Sequence, residues 1–396
     1  MLSLPALQQE VYQEFLRIFQ YWETHTVDPR GGFYGRIDAD NQPDLQADKA
    51  IVLNARILWA FSLAYRVTRK PDYRTLADRA YQFIKTYFWD KKNGGVYWSV
   101  KADGSPSVTK KQLYGQGFAL YGLSEYYRAT KIPQVLDDAK QLFRTLVEKA
   151  YDPKQGGFIE AFNEDWSQTE DYILSKGEER KSMNTHLHLI EPFTNLYRVW
   201  PDPELKKHVR SMLENDFMGH IINPESYHMR LFFTEDWQVK STEISFGHDV
   251  EASWLLYETA EVLNEKGLLA KVKELSLKMV TATLEGLNPD GALTYEFDPT
   301  SGHKNEDRSW WVLSEQMVGY FNAYQLSGKQ HFLEKSQQSW AFIKEHLIDY
   351  NDGEWFEKTD AHHQPSRKAD KVNAWKCPYH NSRACYEIWH RMQVKK

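Results

Sequence analysis

The chain has 396 residues, 41% of them apolar, with 49 basic and 55 acidic side chains and a net charge of −6. That composition excludes a disordered chain, and its negative balance excludes the basic field that nucleic acid or an anionic membrane requires. No apolar run reaches the ~20 residues of a membrane span, the start lacks a basic leader pattern, and two cysteines make no disulfide framework, so a cytoplasmic setting is expected.

Taken in chain order, helix-periodic segments run from Leu4 to Thr24 and from Ala47 to Val67, then from Tyr73 to Trp89 and from Leu113 to Ala129. Leu136 to Ala150 and Asn184 to Val199 follow, then Glu204 to His220 and His248 to Leu263. Leu268 to Leu287 with Ser309 to Leu326, and Gln330 to Leu347 with Tyr379 to Met392, complete twelve helices in six pairs. Short links carry breakers: Pro71, Pro133, Pro201 with Pro203, Gly267 and Gly328. Long links are rich in Gly, Asp and aromatics, and their alternating apolar positions predict short hairpins, as in Gly94 to Val100 and Met229 to Glu235.

A repeat underlies this order. Asp28-Pro-Arg-Gly-Gly-Phe33, Asp90-Lys-Lys-Asn-Gly-Gly-Val96 and Asp152-Pro-Lys-Gln-Gly-Gly-Phe158 recur at a spacing of 62 to 63 residues, with Asn288-Pro-Asp-Gly291 and Asn351-Asp-Gly353 as later copies. Asn223-Pro-Glu-Ser226 stands where a degraded copy belongs. Alternating short and long links put all long links at one end of an antiparallel array. Six hairpins then close into an (α/α)6 barrel, expected to be a single catalytic domain over residues 1–396. An open solenoid is the alternative, disfavoured because open arrays need polar caps.

The helix after each long link is expected to face the axis, since its start carries unusual residues. These are Asn54 and Arg56; Tyr114; Asn184, His186 and His188; His248, Asp249 and Glu251; Trp310, Trp311 and Glu315; and Trp375, Tyr379 and His380. Converging on one rim, they would make a small-molecule pocket. Asn184 and His188 share a helix face at i,i+4, as do His248 and Glu251 at i,i+3, while His186 points elsewhere. Imidazoles suit proton transfer near neutral pH. Blander readings stand beside these: Arg56 as a buried ion-pair partner, Trp310 and Trp311 as core filler, Asp249 as a complement to the helix dipole. Three converging histidines could hold zinc. However, there is no His-Glu-x-x-His spacing and Arg56 opposes a dication, so no metal is expected. No glycine-rich nucleotide loop is present in the sequence, so no cofactor is expected either.

The runs Lys181-Ser-Met-Asn-Thr-His-Leu-His188, Gly247-His-Asp-Val-Glu-Ala-Ser-Trp254 and Trp375-Lys-Cys-Pro-Tyr-His-Asn-Ser-Arg383 resemble the N-acylglucosamine 2-epimerase superfamily, as do Asn54-Ala-Arg-Ile-Leu-Trp59 and Tyr114-Gly-Gln-Gly-Phe-Ala-Leu-Tyr-Gly122. The resemblance spans five repeats and is strongest to the branch acting on disaccharides; Cys377 departs from a glycine common in relatives. It implies metal-free inversion at C2 of the reducing-end glucose of a β-1,4-linked disaccharide, such as cellobiose or lactose, through an open-chain cis-enediolate. By the same resemblance His248 and His380 are the acid/base pair and His188 assists ring opening. Arg56 would stabilise charge on O1 and O2, and Glu251 would orient His248 or bind substrate. Asn184 and Tyr114 would hold hydroxyls, with Trp311, Trp375 and Trp310 stacking on sugar rings. The expected partner is thus a sugar, bound by a monomer or weak homodimer. Two related activities stay open: epimerisation of N-acetylglucosamine, and aldose–ketose isomerisation of mannose. A glycoside hydrolase using carboxylates among Asp249, Glu251 and Glu315 is the more distant alternative.

Overall fold

The computed structural model describes residues 2–393. Twelve α-helices alternate in character: α1 (Leu4–His25), α2 (Ile51–Thr68), α3 (Pro71–Phe83), α4 (Leu113–Thr130), α5 (Pro133–Ala150), α6 (Met183–Tyr197), α7 (Pro203–Ser211), α8 (Phe246–Leu263), α9 (Lys266–Ala282), α10 (Trp310–Ser327), α11 (Gln330–Phe342) and α12 (His380–Gln393). The even helices are buried nearly all round; in α2 every residue from Ile51 to Ala64 is buried. The odd helices bury one stripe, as α5 does with Val135, Ala139, Leu142, Phe143 and Leu146. The even helices are therefore the inner ring and the odd ones the outer ring, as the long-link rule predicts.

Start and stop signals account for most boundaries. Proline opens α3, α5 and α7, where the missing N–H costs nothing. Four of the five short links turn on a left-handed residue at the end of the inner helix, Arg69, Lys131, Asn264 and Gly328, whereas α6 ends on a right-handed Arg198 ahead of Pro201 and Pro203. Gly267 is therefore not the breaker expected of it; it sits inside α9, and Asn264 makes the turn. Helices α3, α7 and α11 end in π-helical segments (Ile84–Phe88, Met212–Ile221, Ile343–Leu347), and α9 ends in a 3₁₀ turn, Thr283–Gly286.

Each inner helix packs on the next from α2 to α12. The ring closes where Trp59 of α2 meets Tyr379 edge-on at 5.1 Å, Tyr12 of α1 stacks on Trp389 of α12 at 5.2 Å, and Ile37 pairs with Val372 across the first and last repeats. An (α/α)6 barrel results, and the open solenoid is excluded.

The long links gather at one rim. Two of them form the local hairpins expected (Ser99–Val100 with Pro106–Val108, Glu296–Phe297 with Lys304–Asn305). Most of the ladders instead join neighbouring repeats: the two residues before an inner helix pair with the next long link. Lys49–Ala50 pairs with Ser99–Val100, Lys111–Gln112 with Ala161–Phe162, Lys181–Ser182 with Phe232–Phe233, and Arg308–Ser309 with Lys358–Thr359.

The repeated Asp…Gly-Gly turn explains its own composition. Gly95 and Gly157 have φ of +73° and +74°, and a Cβ at Gly157 would lie 2.4 Å from the Trp237 ring. The leading acid pairs with a lysine from the segment before the inner helix: Lys49–Asp28 at 2.8 Å, Lys111–Asp90 at 2.6 Å, Lys181–Asp152 at 2.8 Å and Lys371–Asp349 at 2.6 Å. Arg308–Asp290 is the fifth repeat's version, at 2.9 Å. The degraded fourth copy has Tyr227 in the left-handed position, and His228 pairs with Asp249 at 2.7 Å.

Candidate active site

The starts of the inner helices converge on a cavity of about 430 Å³ at the long-link rim. It is lined by Arg56 of α2, Tyr114 of α4, Asn184 and His188 of α6, and His248 and Glu251 of α8. Trp310 and Trp311 of α10, with Trp375 and His380 at the start of α12, complete its wall. The ten positions singled out as site residues thus share one cavity, contributed by all six repeats.

Each of the three imidazoles is held through Nδ1. His188 Nδ1 meets Glu191 Oε2 at 3.1 Å, His248 Nδ1 meets Ser245 Oγ at 2.7 Å, and His380 Nδ1 meets Glu315 Oε1 at 2.7 Å. An ionised carboxylate only accepts, so His188 and His380 donate from Nδ1 and keep the Nε2 lone pair for chemistry. Trp311 contacts two of the rings, its centroid 4.7 Å from that of His248 and 5.7 Å from that of His380. Burial pushes His248 down to about 3; burial and the guanidinium charges of Arg56 and Arg383 push His380 well down, and burial lowers His188. All three are therefore neutral bases at physiological pH.

Arg56 is 2% exposed and among the described residues it has no carboxylate partner. It donates to Tyr114 Oη at 2.9 Å, and its guanidinium lies 4.1 Å from the Phe118 ring centroid and 4.8 Å from that of Tyr379. A buried cation without a counter-ion is costly, and one at a cavity wall is positioned for negative charge that develops there. The ion-pair reading of Arg56 is excluded. Asn184 Oδ1 and Trp310 Nε1 are also buried without a protein partner. Trp375, 38% exposed, stands at the mouth edge-on to Tyr114 at 5.6 Å.

Glu251 does not bond to His248. Its Oε1 accepts from Arg383 Nη2 at 2.5 Å, and Oε2 is buried without a partner. Asp249 turns away from the cavity, accepting from Met229 N at 2.8 Å and pairing with His228, so it is more than a dipole complement. Of the carboxylates weighed for hydrolysis, Glu251 alone lines the cavity. His186 points elsewhere as expected; its Nε2 accepts from Phe158 N at 3.0 Å and braces the Gly157 turn.

Sequence reasoning set Glu315 and Tyr379 at the rim, but they lie beneath the cavity, in a layer whose Arg383 and Glu191 it missed. Arg383 bridges Glu191, Glu251 and Glu315, Tyr379 shares Glu191, and Trp254 Nε1 donates to Glu315 at 3.0 Å. A signal existed: Glu191 follows His188 by three residues and Arg383 follows His380 by three, so each shares its histidine's helix face. The wall residues Tyr295, Asn305, Asp307, Glu357 and Lys358 come from long links of the fifth and sixth repeats and carried no sequence signal.

Ligand atoms of His188, His248 and Glu251 lie within 4.8 Å of one another, a spacing that could suit a cation. Arg383 on Glu251 and the unpaired Arg56 charge both oppose one.

A closed double ring of helices with three imidazoles, an unpaired guanidinium and tryptophans at one mouth defines a carbohydrate epimerase, an enzyme of the isomerase class. The chain belongs to the N-acylglucosamine 2-epimerase (GlcNAc 2-epimerase) family, whose sequence profile matches residues 32–384. It is 44% identical over 386 residues to a cellobiose 2-epimerase of Bacteroides fragilis, covering 96% of this chain and 98% of that one. A cellobiose 2-epimerase of Dictyoglomus turgidum is 36% identical, over 99% of this chain and all of that one. The solved cellobiose 2-epimerase of Bacillus thermoamylovorans superposes with a TM-score of 0.93 at 35% identity, covering 98% of this chain and 100% of that one. A D-mannose isomerase structure at 20% identity and TM-score 0.86 shares the fold.

Proposed function

We propose that this protein inverts C2 of the reducing-end glucose of β-1,4-linked disaccharides, converting cellobiose to glucosyl-mannose and lactose to epilactose. Its relatives named as cellobiose 2-epimerases match along the whole chain. The observation that carries the chemistry is the pair of neutral imidazoles, His248 and His380, both in contact with Trp311 beside the unpaired Arg56.

His188 assists opening of the pyranose and holds sugar oxygens. One of His248 and His380 removes the C2 proton of the open-chain aldose, and the electron pair moves into C1–O1 to give a cis-enediolate. Arg56 stabilises the charge on O1 and O2, where its planar fork suits two adjacent oxygens. The second imidazole, as imidazolium, returns a proton to the opposite face of C2. Asn184, Tyr114 and Glu251 hydrogen-bond hydroxyls, and Trp311, Trp375 and Trp310 supply faces for the rings. The reaction needs no metal or cofactor. Residues 1–396 act as one catalytic unit, a monomer or weak homodimer in the cytoplasm.

The test is EDTA-treated protein with cellobiose in D₂O, followed by NMR. Glucosyl-mannose carrying deuterium at C2 is the expected product. Free glucose would replace epimerisation with hydrolysis, and a ketose as main product would return the proton to C1 instead. No conversion of cellobiose, with turnover of N-acetylmannosamine, would overturn the disaccharide assignment.

A further inference from the structure

A two-base inversion carries a requirement of its own. When one imidazole keeps the C2 proton and the other gives one up, the two have exchanged protonation states by the time product leaves. Protein in that state is set for the reverse reaction only, until a proton passes back. Both imidazoles are also neutral at rest, so the one proton the cycle needs must be held elsewhere.

Glu251 stands between the two sides. One of its oxygens lies within 4.8 Å of ring nitrogens of both His188 and His248, and one lies within the same distance of His380 and Glu315. A single water spans such a gap. Its Oε1 is fixed by Arg383, while Oε2, with less than 1 Å² exposed, has no partner. A buried carboxyl oxygen without a donor is costly as an anion and much less so as O–H. Burial and the neighbouring Glu315 charge push this carboxyl well above the usual range, in keeping with that form.

Resting on the two-base reading, we propose that Glu251 is the proton-return residue: its carboxyl stores the mobile proton and passes it between the His248 and His380 sides between turnovers. The balance closes. The carboxyl O–H gives its proton to the acid imidazole, which gives it to C2. The base imidazole takes the original C2 proton and, after product departs, yields it to the Glu251 carboxylate. Nothing is oxidised or reduced.

Glu251→Gln tests this, since the amide keeps an acceptor for Arg383 but carries no transferable proton. The expected result is a kcat at least 50-fold lower with KM within threefold, and recovery of at least tenfold in kcat on adding acetate or formate, to which the wild type is indifferent. A raised KM with kcat retained, or a lost kcat that no carboxylic acid restores, would overturn the proposal. Glu251→Asp tests it if the glutamine variant does not fold. With the carboxyl set back by one methylene, the transfer runs through water, and the D₂O isotope effect on kcat should at least double relative to wild type; an unchanged effect overturns the proposal. His380→Asn tests the two-base reading apart from Glu251: with one imidazole left, C2 of one epimer should still exchange with D₂O while no other epimer forms, and retained epimerisation removes that reading instead.

Discussion

At the residue scale, the difference between His248 and His380 lies in what stands behind them. His380 is backed by a carboxylate and His248 by a hydroxyl, so an imidazolium formed at His380 gains a charge-assisted hydrogen bond that one at His248 lacks. His380→Asn should abolish turnover, with kcat down about 10³-fold and the circular dichroism spectrum kept, because positioned acid–base groups contribute on the order of 10² to 10⁴. Retained turnover would end the two-base assignment. Glu315→Gln removes the charge but not the acceptor. At about 1.5–3 kcal/mol for a charged hydrogen bond, kcat should fall roughly 10- to 100-fold with KM little changed, as steady-state kinetics would show. The His380 side chain was legible in the sequence, as were the nine other candidates that line the cavity, because inner-helix starts were an inspectable set. Glu315 was visible only as a carboxylate and Arg383 only by its place three residues after His380; their pairing was not, since the contact joins two separate helices, α10 and α12.

At the scale of elements, periodicity located all twelve helices, because inner and outer helices both follow simple burial rules. What it could not supply was the pairing at the rim. The ladder of Lys181–Ser182 lies with Phe232–Phe233, some fifty residues on, and no turn sequence encodes a partner in the next repeat. The lysine was readable in principle in the first two repeats, 21 residues after Asp28 and after Asp90, but the third stands 29 after Asp152 and an isolated Lys is commonly surface. In the fold it is buried and holds the turn to the ladder. Lys181→Met should therefore cost about 3–5 kcal/mol, the loss expected when one partner of a buried pair is removed. Thermal melting checks this, and Asp152→Asn in the same chain should recover a good part of the loss. Gly157→Ala should also lower the melting temperature, since the added methyl meets Trp237 in a left-handed turn.

For the whole molecule, the same burial that makes the histidines bases gives the barrel an acid-sensitive share of its stability. His186 is held down to about 4 and His248 to about 3 by burial, and His188 and His380 are lowered too. Their unfolded values lie near about 6.5, so as pH falls below that range the unfolded chain binds protons that the folded chain refuses. That share is then fully present above pH ~6.5 and is lost progressively toward the folded values. Proton NMR from pH 7.5 to 4.5 should show the His186 and His248 rings staying in the neutral form, and protonation of either at pH ~6 would contradict the buried-neutral assignment. His228, raised by its bond to Asp249, and the carboxyls of Glu160 and Asp216, each pushed up to about 7 by burial, contribute with the opposite sign, their share lost as pH rises through the folded values.

The closure of the ring has one more consequence. Gln8 near the start of α1 donates to Trp389 O near the end of α12 at 3.2 Å, so the chain's first and last helices begin and end side by side, on the face opposite the sugar pocket. The barrel is in effect a necklace whose clasp is arbitrary. Joining those ends with a short glycine linker and reopening the chain at Gly328, an exposed link with open space around its Cα, should give a circular permutant that still folds and turns over. Reopening it instead between Phe233 and α8 would cut the rim where neighbouring repeats are stitched together, and that permutant should lose the pocket along with the stitch.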